Sequence, residues 1–118
     1  MSKRILVVED QPDNRQIIRD TLAPTDYEIT EAENGEQALT AIAKQRPDLI
    51  LMDIQLPIMD GYEATRRIKA DASLRSISIV AVTSYALSGE EEGAGCDDYV
   101  PKPFDPRQLV AKIRHYLQ

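Results

Sequence analysis

The sequence predicts an α/β fold in which five parallel strands form one doubly wound sheet with helices on both faces. Short runs of wholly apolar residues recur along the chain, and such runs are typical of strands buried inside a parallel sheet. The segments between them space their apolar residues three and four apart, as amphipathic helices do. Helix-start motifs stand where several of these segments begin. Strand and helix therefore alternate along the chain.

The predicted strands follow from the apolar runs. Continuous runs occupy residues 5–8, 49–52 and 79–82, and a shorter run occupies residues 99–100. We place the strands at residues 3–8, 27–32, 48–53, 78–83 and 97–101. The alternation with helices makes these five strands part of one repeated βα pattern.

The predicted helices follow from helical spacing and from capping residues. Asn34, Asp60 and Asp105 each stand three residues before a Glu or Gln, which is the capping-box arrangement. Pro12 and Pro106 suit the first position of a helix, where no amide donor is needed. We place the helices at residues 12–23, 35–45, 61–71 and 105–117, with a single frayed turn near residues 88–93.

The predicted strand order locates the functional edge of the sheet. Right-handed crossovers favour the order 2-1-3-4-5, which is the flavodoxin-like arrangement. In such sheets ligands bind beyond the carboxyl ends of the strands where the order reverses, here between the first and third strands. These strands lead into Glu9-Asp10 and Asp53, while the fourth leads into Thr83 and the fifth into Lys102. We expect these five residues to meet at one edge.

Length, charge and cysteine content exclude several classes of protein. A chain of 118 residues is expected to form one domain, residues 1–118. The net charge of −6 argues against partners such as nucleic acid and anionic membrane surfaces, which attract basic patches. The single cysteine, Cys96, excludes an internal disulfide and a Cys-based zinc cluster. Because no apolar stretch is long enough for a signal peptide or a membrane span, a cytoplasmic location is expected.

Three acidic residues at the predicted edge indicate a metal site. Carboxylates of Glu9, Asp10 and Asp53 would repel one another by about 4 kcal/mol per pair at 4 Å and an effective dielectric of 20. Mg²⁺ would relieve this repulsion, since it takes a few protein oxygens and keeps several waters. Asp10 and Asp53 are the expected direct ligands, Glu9 would bind directly or through water, and the carbonyl of Gln55 is a further candidate. Any one of these acids alone would be an ordinary solvated strand end.

A cation and a hydroxyl beside the acids indicate phosphoryl transfer. Lys102 and Thr83 would form a cradle for a transferred phosphoryl group, with Asp53 as the nucleophile that becomes an acyl phosphate. Taken singly, Lys102 is compatible with a surface lysine, and Thr83 with a strand residue of good β propensity. Their combination with the acidic cluster favours the chemical role.

The chain resembles a two-component response-regulator receiver domain along essentially its whole length. Any one matching segment is weak evidence, but their order and spacing are specific. The segments are residues 5–10 (ILVVED), 48–61 (DLILMDIQLPIMDG), 82–83 (VT) and 98–104 (DYVPKPF). The resemblance implies a single-domain response regulator that works by protein binding or phosphoryl relay.

The resemblance also implies specific roles. Asp53 would accept a phosphoryl group from a phosphohistidine on a sensor histidine kinase or a histidine phosphotransfer protein, in a reaction that the receiver promotes with Mg²⁺. Lys102 and Thr83 would contact the phosphoryl group, and Tyr99 would be the aromatic switch residue that turns inward when Thr83 shifts. Tyr99 is equally compatible with an amphipathic aromatic whose hydroxyl has a permanent partner. Lys102-Pro103 would be a cis peptide.

Two features near the site are particular to this sequence. Gln55 and Tyr85 stand two residues after Asp53 and Thr83, and we expect them to influence how long the phosphoryl group survives. Our hypothesis is that the Tyr85 ring shields the acyl phosphate from water, so that Tyr85→Glu would shorten its lifetime. By the same resemblance, the predicted helix near residues 88–93 would be about one turn shorter than the family pattern, which would affect a face that many receivers use for docking or dimerisation.

Other classes of function compete with this interpretation. A hydrolase of the haloacid dehalogenase kind uses a second Asp where this chain has Gln55, so turnover of free substrates is not expected. A flavin-binding flavodoxin would need a phosphate loop where the chain has residues 11–14 (QPDN). The remaining alternative is a receiver-shaped interaction module that acts without phosphorylation. The downstream protein partner, the pathway and the oligomeric state stay open.

Overall fold

The computed structural model describes residues 2–83 and 95–118. The strands in this part of the chain are β1 (Arg4–Val8), β2 (Glu28–Ala32), β3 (Leu49–Asp53), β4 (Ser78–Thr83) and β5 (Asp98–Pro101). The helices are α1 (Pro12–Leu22), α2 (Gly35–Lys44), α3 (Gly61–Ala70) and, at the carboxyl terminus, α4 (Pro106–Leu117). Each predicted boundary of these elements agrees with the structure to within one residue. Tyr85 and the predicted short helix near 88–93 lie outside the described residues.

The five strands form a parallel sheet in the order β2-β1-β3-β4-β5, which confirms the predicted fold class. The register aligns the carboxyl ends of the central strands, since Val8 of β1 pairs with Met52 of β3. On the other side of β3, Asp53 pairs with Val82 of β4. The residues that follow β1, β3 and β4 are therefore brought to the same edge.

Two apolar clusters cover the faces of the sheet. Because side chains alternate across a strand, Leu6 and Val8 of β1 enter one cluster, while Ile5 and Val7 enter the other. The first cluster lies under α2 and α3, and the second lies under α1 and α4. The central strand β3 is buried along its whole length, which explains its continuous apolar sequence.

The predicted helix caps are present, with one correction. The side chains of Asn34 and Asp60 accept hydrogen bonds from backbone amides three residues ahead, as predicted. The Asp105 side chain instead accepts from the amide of Arg107, two residues ahead, so the predicted capping box with Gln108 is wrong. The amides of both the second and third helical positions are free to be capped, and sequence spacing alone does not choose between them.

Within residues 2–83 and 95–118, none of the helices combines the length and apolar character needed to cross a bilayer.

Candidate functional site

Three carboxylates converge at the edge where β1 and β3 end. Asp53 is the last residue of β3, and Glu9 and Asp10 directly follow β1. One oxygen from each of the three side chains lies within 4.8 Å of the others. Glu9 and Asp53 are almost fully buried, with relative exposures of 1% and 4%. Pairing of β1 with β3 produces this convergence, because it sets the two acidic strand ends side by side.

Lys102 joins two of these carboxylates. Its Nζ donates to Glu9 Oε1 at 2.8 Å and to Asp53 Oδ2 at 3.0 Å. The backbone amide of Lys102 donates to the Thr83 carbonyl at 2.7 Å, so the end of β4 holds the lysine backbone beside the site. The bond between Lys102 and Pro103 is cis, as the resemblance implied.

Backbone amides occupy the remaining carboxylate oxygens of the buried acids. The amide of Gln11 donates to Glu9 Oε2 at 3.1 Å, and the amide of Gln55 donates to Asp53 Oδ1 at 3.0 Å. Each buried carboxylate therefore has an ammonium partner on one oxygen and a peptide partner on the other. The Gln55 side chain is exposed at the rim of the site.

The close packing of charges shifts two pKa values. Burial, together with the neighbouring Glu9 carboxylate, raises the pKa of Asp10 above its usual 3.8. Partial burial alone would lower the pKa of Lys102, but hydrogen bonds from its ammonium group to Glu9 and Asp53 raise it above 10.5. Lys102 is therefore charged at neutral pH, and its positive charge partly balances the buried acids.

Thr83 lies on β4, which pairs with β3, and Tyr99 lies on β5, which pairs with β4 at the edge of the sheet. Thr83 is the last residue of β4 and is 1% exposed. Tyr99 is partly buried on β5, where Lys112 Nζ lies 4.9 Å from the centre of its ring. Lys112 also donates to the Tyr99 carbonyl at 2.6 Å. Lys112 of α4 therefore contacts the Tyr99 ring through a cation–π interaction and the Tyr99 backbone through a hydrogen bond.

Gly61 allows α3 to begin against the backbone of Asp53. Its amide donates to the Ile54 carbonyl at 3.1 Å. A Cβ at this position would overlap the Asp53 carbonyl oxygen and would lie 2.8 Å from the Ile54 Cα. Any side chain at residue 61 would push the first turn of α3 or the end of β3 out of place, because backbone atoms have little room to yield.

Arg15 was not predicted to belong to this region. Its guanidinium reaches back from α1 and donates to the carbonyls of Glu9 and Asp10. A basic residue in the first turn of the helix, shortly after two acids, was the available clue in the sequence. The contact itself depends on how α1 packs, so residue spacing alone does not reveal it.

The arrangement matches the ligand preference of a hard cation. Mg²⁺ favours carboxylate and carbonyl oxygens, and Glu9, Asp10 and Asp53 offer three carboxylates within reach of one ion. Lys102 supplies a further positive charge, with its Nζ at 3.0 Å from Asp53 Oδ2. A carboxylate with both kinds of positive partner is suited to attack a phosphoryl group whose oxygens need neutralisation.

Comparison with known sequences identifies the family. The family profile described as "Response regulator receiver domain" matches residues 5–114. The Polar-differentiation response regulator DivK of Brucella anthropi is 41% identical over 120 residues, which covers 99% of this chain and 98% of that protein. The DivK protein of Brucella ovis is 39% identical over the same length and with the same coverage.

Solved structures agree with this result. A putative response regulator from Chloroflexus aurantiacus has a TM-score of 0.94 at 29% identity, covering 99% of this chain and 98% of that one. The receiver domain of a sensor histidine kinase from Pseudomonas aeruginosa has a TM-score of 0.90 at 39% identity, covers 98% of both chains, and holds a magnesium ion coordinated in its active-site cleft. The chain belongs to the response regulator receiver family.

Proposed function

We propose that the protein accepts a phosphoryl group on Asp53 from a phosphohistidine of a partner protein and then binds, or relays the group to, a further protein. The observation that carries this proposal is the buried Asp53 carboxylate, which shares the Lys102 ammonium with Glu9 beside the three-carboxylate cluster. A solvated acid at a strand end would have neither the burial nor these fixed partners.

The acidic residues of the site have separate proposed roles in binding Mg²⁺ and in accepting the phosphoryl group. Asp10 and Asp53 are the proposed direct ligands of Mg²⁺, with Glu9 and the Gln55 carbonyl as further donors, and the ion would neutralise phosphoryl oxygens. An Asp53 carboxylate oxygen attacks the phosphorus atom as the bond from phosphorus to the histidine nitrogen breaks. The leaving imidazole nitrogen keeps the electron pair of that bond and takes up a proton.

Lys102 and Thr83 act on the product of this step. Lys102 exchanges part of its contact with Asp53 for the oxygens of the bound phosphoryl group, because the group is attached to the same carboxylate. Thr83 is proposed to move towards the phosphoryl group, and Tyr99 is proposed to turn inward in response. The Tyr99 ring would have to leave its contact with Lys112 in order to turn inward. The two orientations of the ring would then form a two-state switch.

The surface next to Lys102 supports the proposal that the phosphoryl group comes from another protein. A groove of about 370 Å³ opens there, and its walls are largely formed by apolar side chains. Ile17, one of the lining residues, is 51% exposed. A large apolar side chain beside a polar reactive site favours contact with a protein partner. The sole histidine of the chain, His115, is exposed on α4, so we assign the donor histidine to another protein.

We further propose that the chain promotes its own phosphorylation and dephosphorylation without turning over free substrates. Gln55 offers no carboxyl group that could serve as a second acid or base beside Asp53. Tyr85 is proposed to shield the acyl phosphate from water, and Tyr85→Glu is then expected to shorten its lifetime.

The test is phosphoryl uptake from a small-molecule donor. The protein is incubated with acetyl phosphate and Mg²⁺, and the intact mass is followed. We expect the mass to increase by one phosphoryl group in the parent chain and in Asp26→Asn, which removes an exposed acid, but not in Asp53→Asn. Chelation of the Mg²⁺ should abolish uptake by the parent.

Two outcomes would contradict the proposal. Uptake that persists in Asp53→Asn would assign the phosphoryl group to another residue. No uptake by the folded parent, together with equal partner binding by the parent and Asp53→Asn, would favour the interaction module that acts without phosphorylation.

A further inference from the structure

Arg15 holds the backbone of the turn that carries two of the three acids. Its Nη1 donates to the Glu9 carbonyl at 2.9 Å and to the Asp10 carbonyl at 3.4 Å. These two carbonyls immediately follow β1, where the chain leaves the sheet to begin α1. The positions of both acidic residues therefore depend on the backbone that Arg15 contacts.

The other two nitrogens of Arg15 form ion pairs with acidic residues at the end of β2 and just after it. Its Nε lies 3.1 Å from Glu31 Oε1, and its Nη2 lies 3.6 Å from Glu33 Oε1. The Arg15 side chain is only 15% exposed. A guanidinium is planar and always charged, so fixing one edge by Glu31 also fixes the direction in which the other edge donates. The guanidinium thereby connects β2 to the turn after β1.

We propose that Arg15 is a positioning residue for the cation site, which it shapes by fixing the turn that presents Glu9 and Asp10. This inference rests on the proposed binding of Mg²⁺ at the site. The Glu9 carboxylate has its own supports in Lys102 and the Gln11 amide. The backbone of the turn is held from α1 by Arg15, and Asp10 is placed by that backbone.

The direction in which Mg²⁺ affinity changes when Arg15 is removed distinguishes a positioning role of this residue from an effect of its charge. Arg15 is positive and lies near a site for a positive ion, so through its charge alone it would weaken Mg²⁺ binding. Removing Arg15 would then tighten binding. If Arg15 acts by holding the turn, its removal weakens binding, because Asp10 no longer starts from the geometry that the ion requires.

Arg19 provides a matched control on the same helix. It contacts the same Glu31 side chain, with Arg19 Nη1 at 2.8 Å from Glu31 Oε2. Its other hydrogen bond is to the side chain of Gln16, one turn earlier on α1. Replacing Arg19 therefore removes an equal charge and a contact with Glu31 while leaving the hydrogen bonds to the two site carbonyls in place.

The experiment measures Mg²⁺ affinity by calorimetric titration of the full chain and of Arg15→Met, Arg15→Lys and Arg19→Met. We expect Arg15→Met to raise the dissociation constant about tenfold or more, as loss of an outer support of a metal site does. Arg19→Met should stay within about twofold of the parent, since its contacts do not reach the turn. Amide hydrogen exchange at residues 9–11 should accelerate in Arg15→Met and stay unchanged in Arg19→Met.

The variant Arg15→Lys keeps the positive charge at this position but removes the planar guanidinium group. An ammonium group cannot hold both carbonyls and Glu31 with the fixed fork of a guanidinium, so weaker binding is expected here too. Unchanged or tighter binding in both Arg15 variants would overturn the inference, as would equal weakening in Arg19→Met. A parent chain that binds no Mg²⁺ would instead overturn the proposed function itself.

Discussion

At the scale of single residues, Lys102 determines the charge balance of the site. It is the ammonium partner of two buried carboxylates, Glu9 and Asp53. Its position directly after the fifth strand was evident from the sequence, but its simultaneous contact with both acids was not. The pair Lys102 and Glu9 is separated by 93 positions in the chain. Lysine at this position therefore supports the folded state as well as the proposed chemistry.

Replacing Lys102 by Met should destabilise the protein when Mg²⁺ is absent. Two carboxylates would remain buried without their ammonium partner, and removal of one member of a buried ion pair costs roughly 3 kcal/mol. Addition of Mg²⁺ should recover part of this loss, because the ion would supply positive charge to the same two carboxylates. Urea unfolding with and without Mg²⁺ measures both effects.

The control for this variant is Lys44→Met, which removes an exposed lysine of α2. We expect this replacement to change the free energy of unfolding by less than about 0.5 kcal/mol. Equal losses in the two variants, or a loss in Lys102→Met that is insensitive to Mg²⁺, would contradict the role assigned to Lys102.

At the scale of elements, β5 is linked to α4 by a polar network around Asp98. Lys112 Nζ donates to Asp98 Oδ1 at 2.9 Å, and the Tyr116 hydroxyl donates to Asp98 Oδ2 at 3.2 Å. Burial alone would raise the pKa of Asp98, but the Lys112 ammonium and the Tyr99 amide lower it below its usual 3.8. Lys112, which belongs to this network, also contacts the Tyr99 ring.

Asp98→Asn should therefore destabilise the protein in a pH-dependent way. Because the pKa of Asp98 is lower in the folded state than its usual 3.8, the stability it contributes is present above that pH. This contribution is lost as the pH falls below 3.8 and the carboxylate is protonated. We expect the variant to be less stable by roughly 1 kcal/mol at pH 7, with the difference shrinking towards pH 3. Urea unfolding at several pH values measures the difference, and a gap that stays constant or widens with acid would refute this account.

At the scale of the whole molecule, the net charge of −6 affects how cation binding is measured. Any salt reduces the repulsion among the acidic groups of the chain, so a stabilising effect of Mg²⁺ has a general part and a site-specific part. Only the site-specific part depends on the cluster of Glu9, Asp10 and Asp53.

Saturating Mg²⁺ should raise the melting temperature well beyond the effect of NaCl at equal ionic strength. At a free concentration of about 100 times the dissociation constant, binding to the folded state alone adds roughly 2.7 kcal/mol. For a domain of this size, that corresponds to a rise of roughly 10 °C. Asp10→Asn should lose most of this rise, whereas Asp26→Asn should retain it. A rise that NaCl reproduces would reject a specific site.

The sequence predicted the elements closely because their signals are local. Apolar runs marked the strands, and side chains such as Asn34 and Asp60 marked the helix starts, each within a few residues of the feature they determine. The cap formed by Asp105 was predicted on the wrong amide, because both amides lie within reach of the same side chain. Local patterns therefore specify that a helix begins more reliably than how its first turn is bonded.

By itself, the sequence determined the order of strands and helices, the family, and which acidic, hydroxyl and amino groups end the strands. These follow from short-range patterns and from the rule that parallel strands present their carboxyl ends at one edge. Only the tertiary structure decided which of these groups contact one another: Lys102 with both Glu9 and Asp53, and Arg15 with the turn after β1. Such contacts join residues from separate elements, and their geometry depends on strand register and helix packing, which residue spacing does not encode.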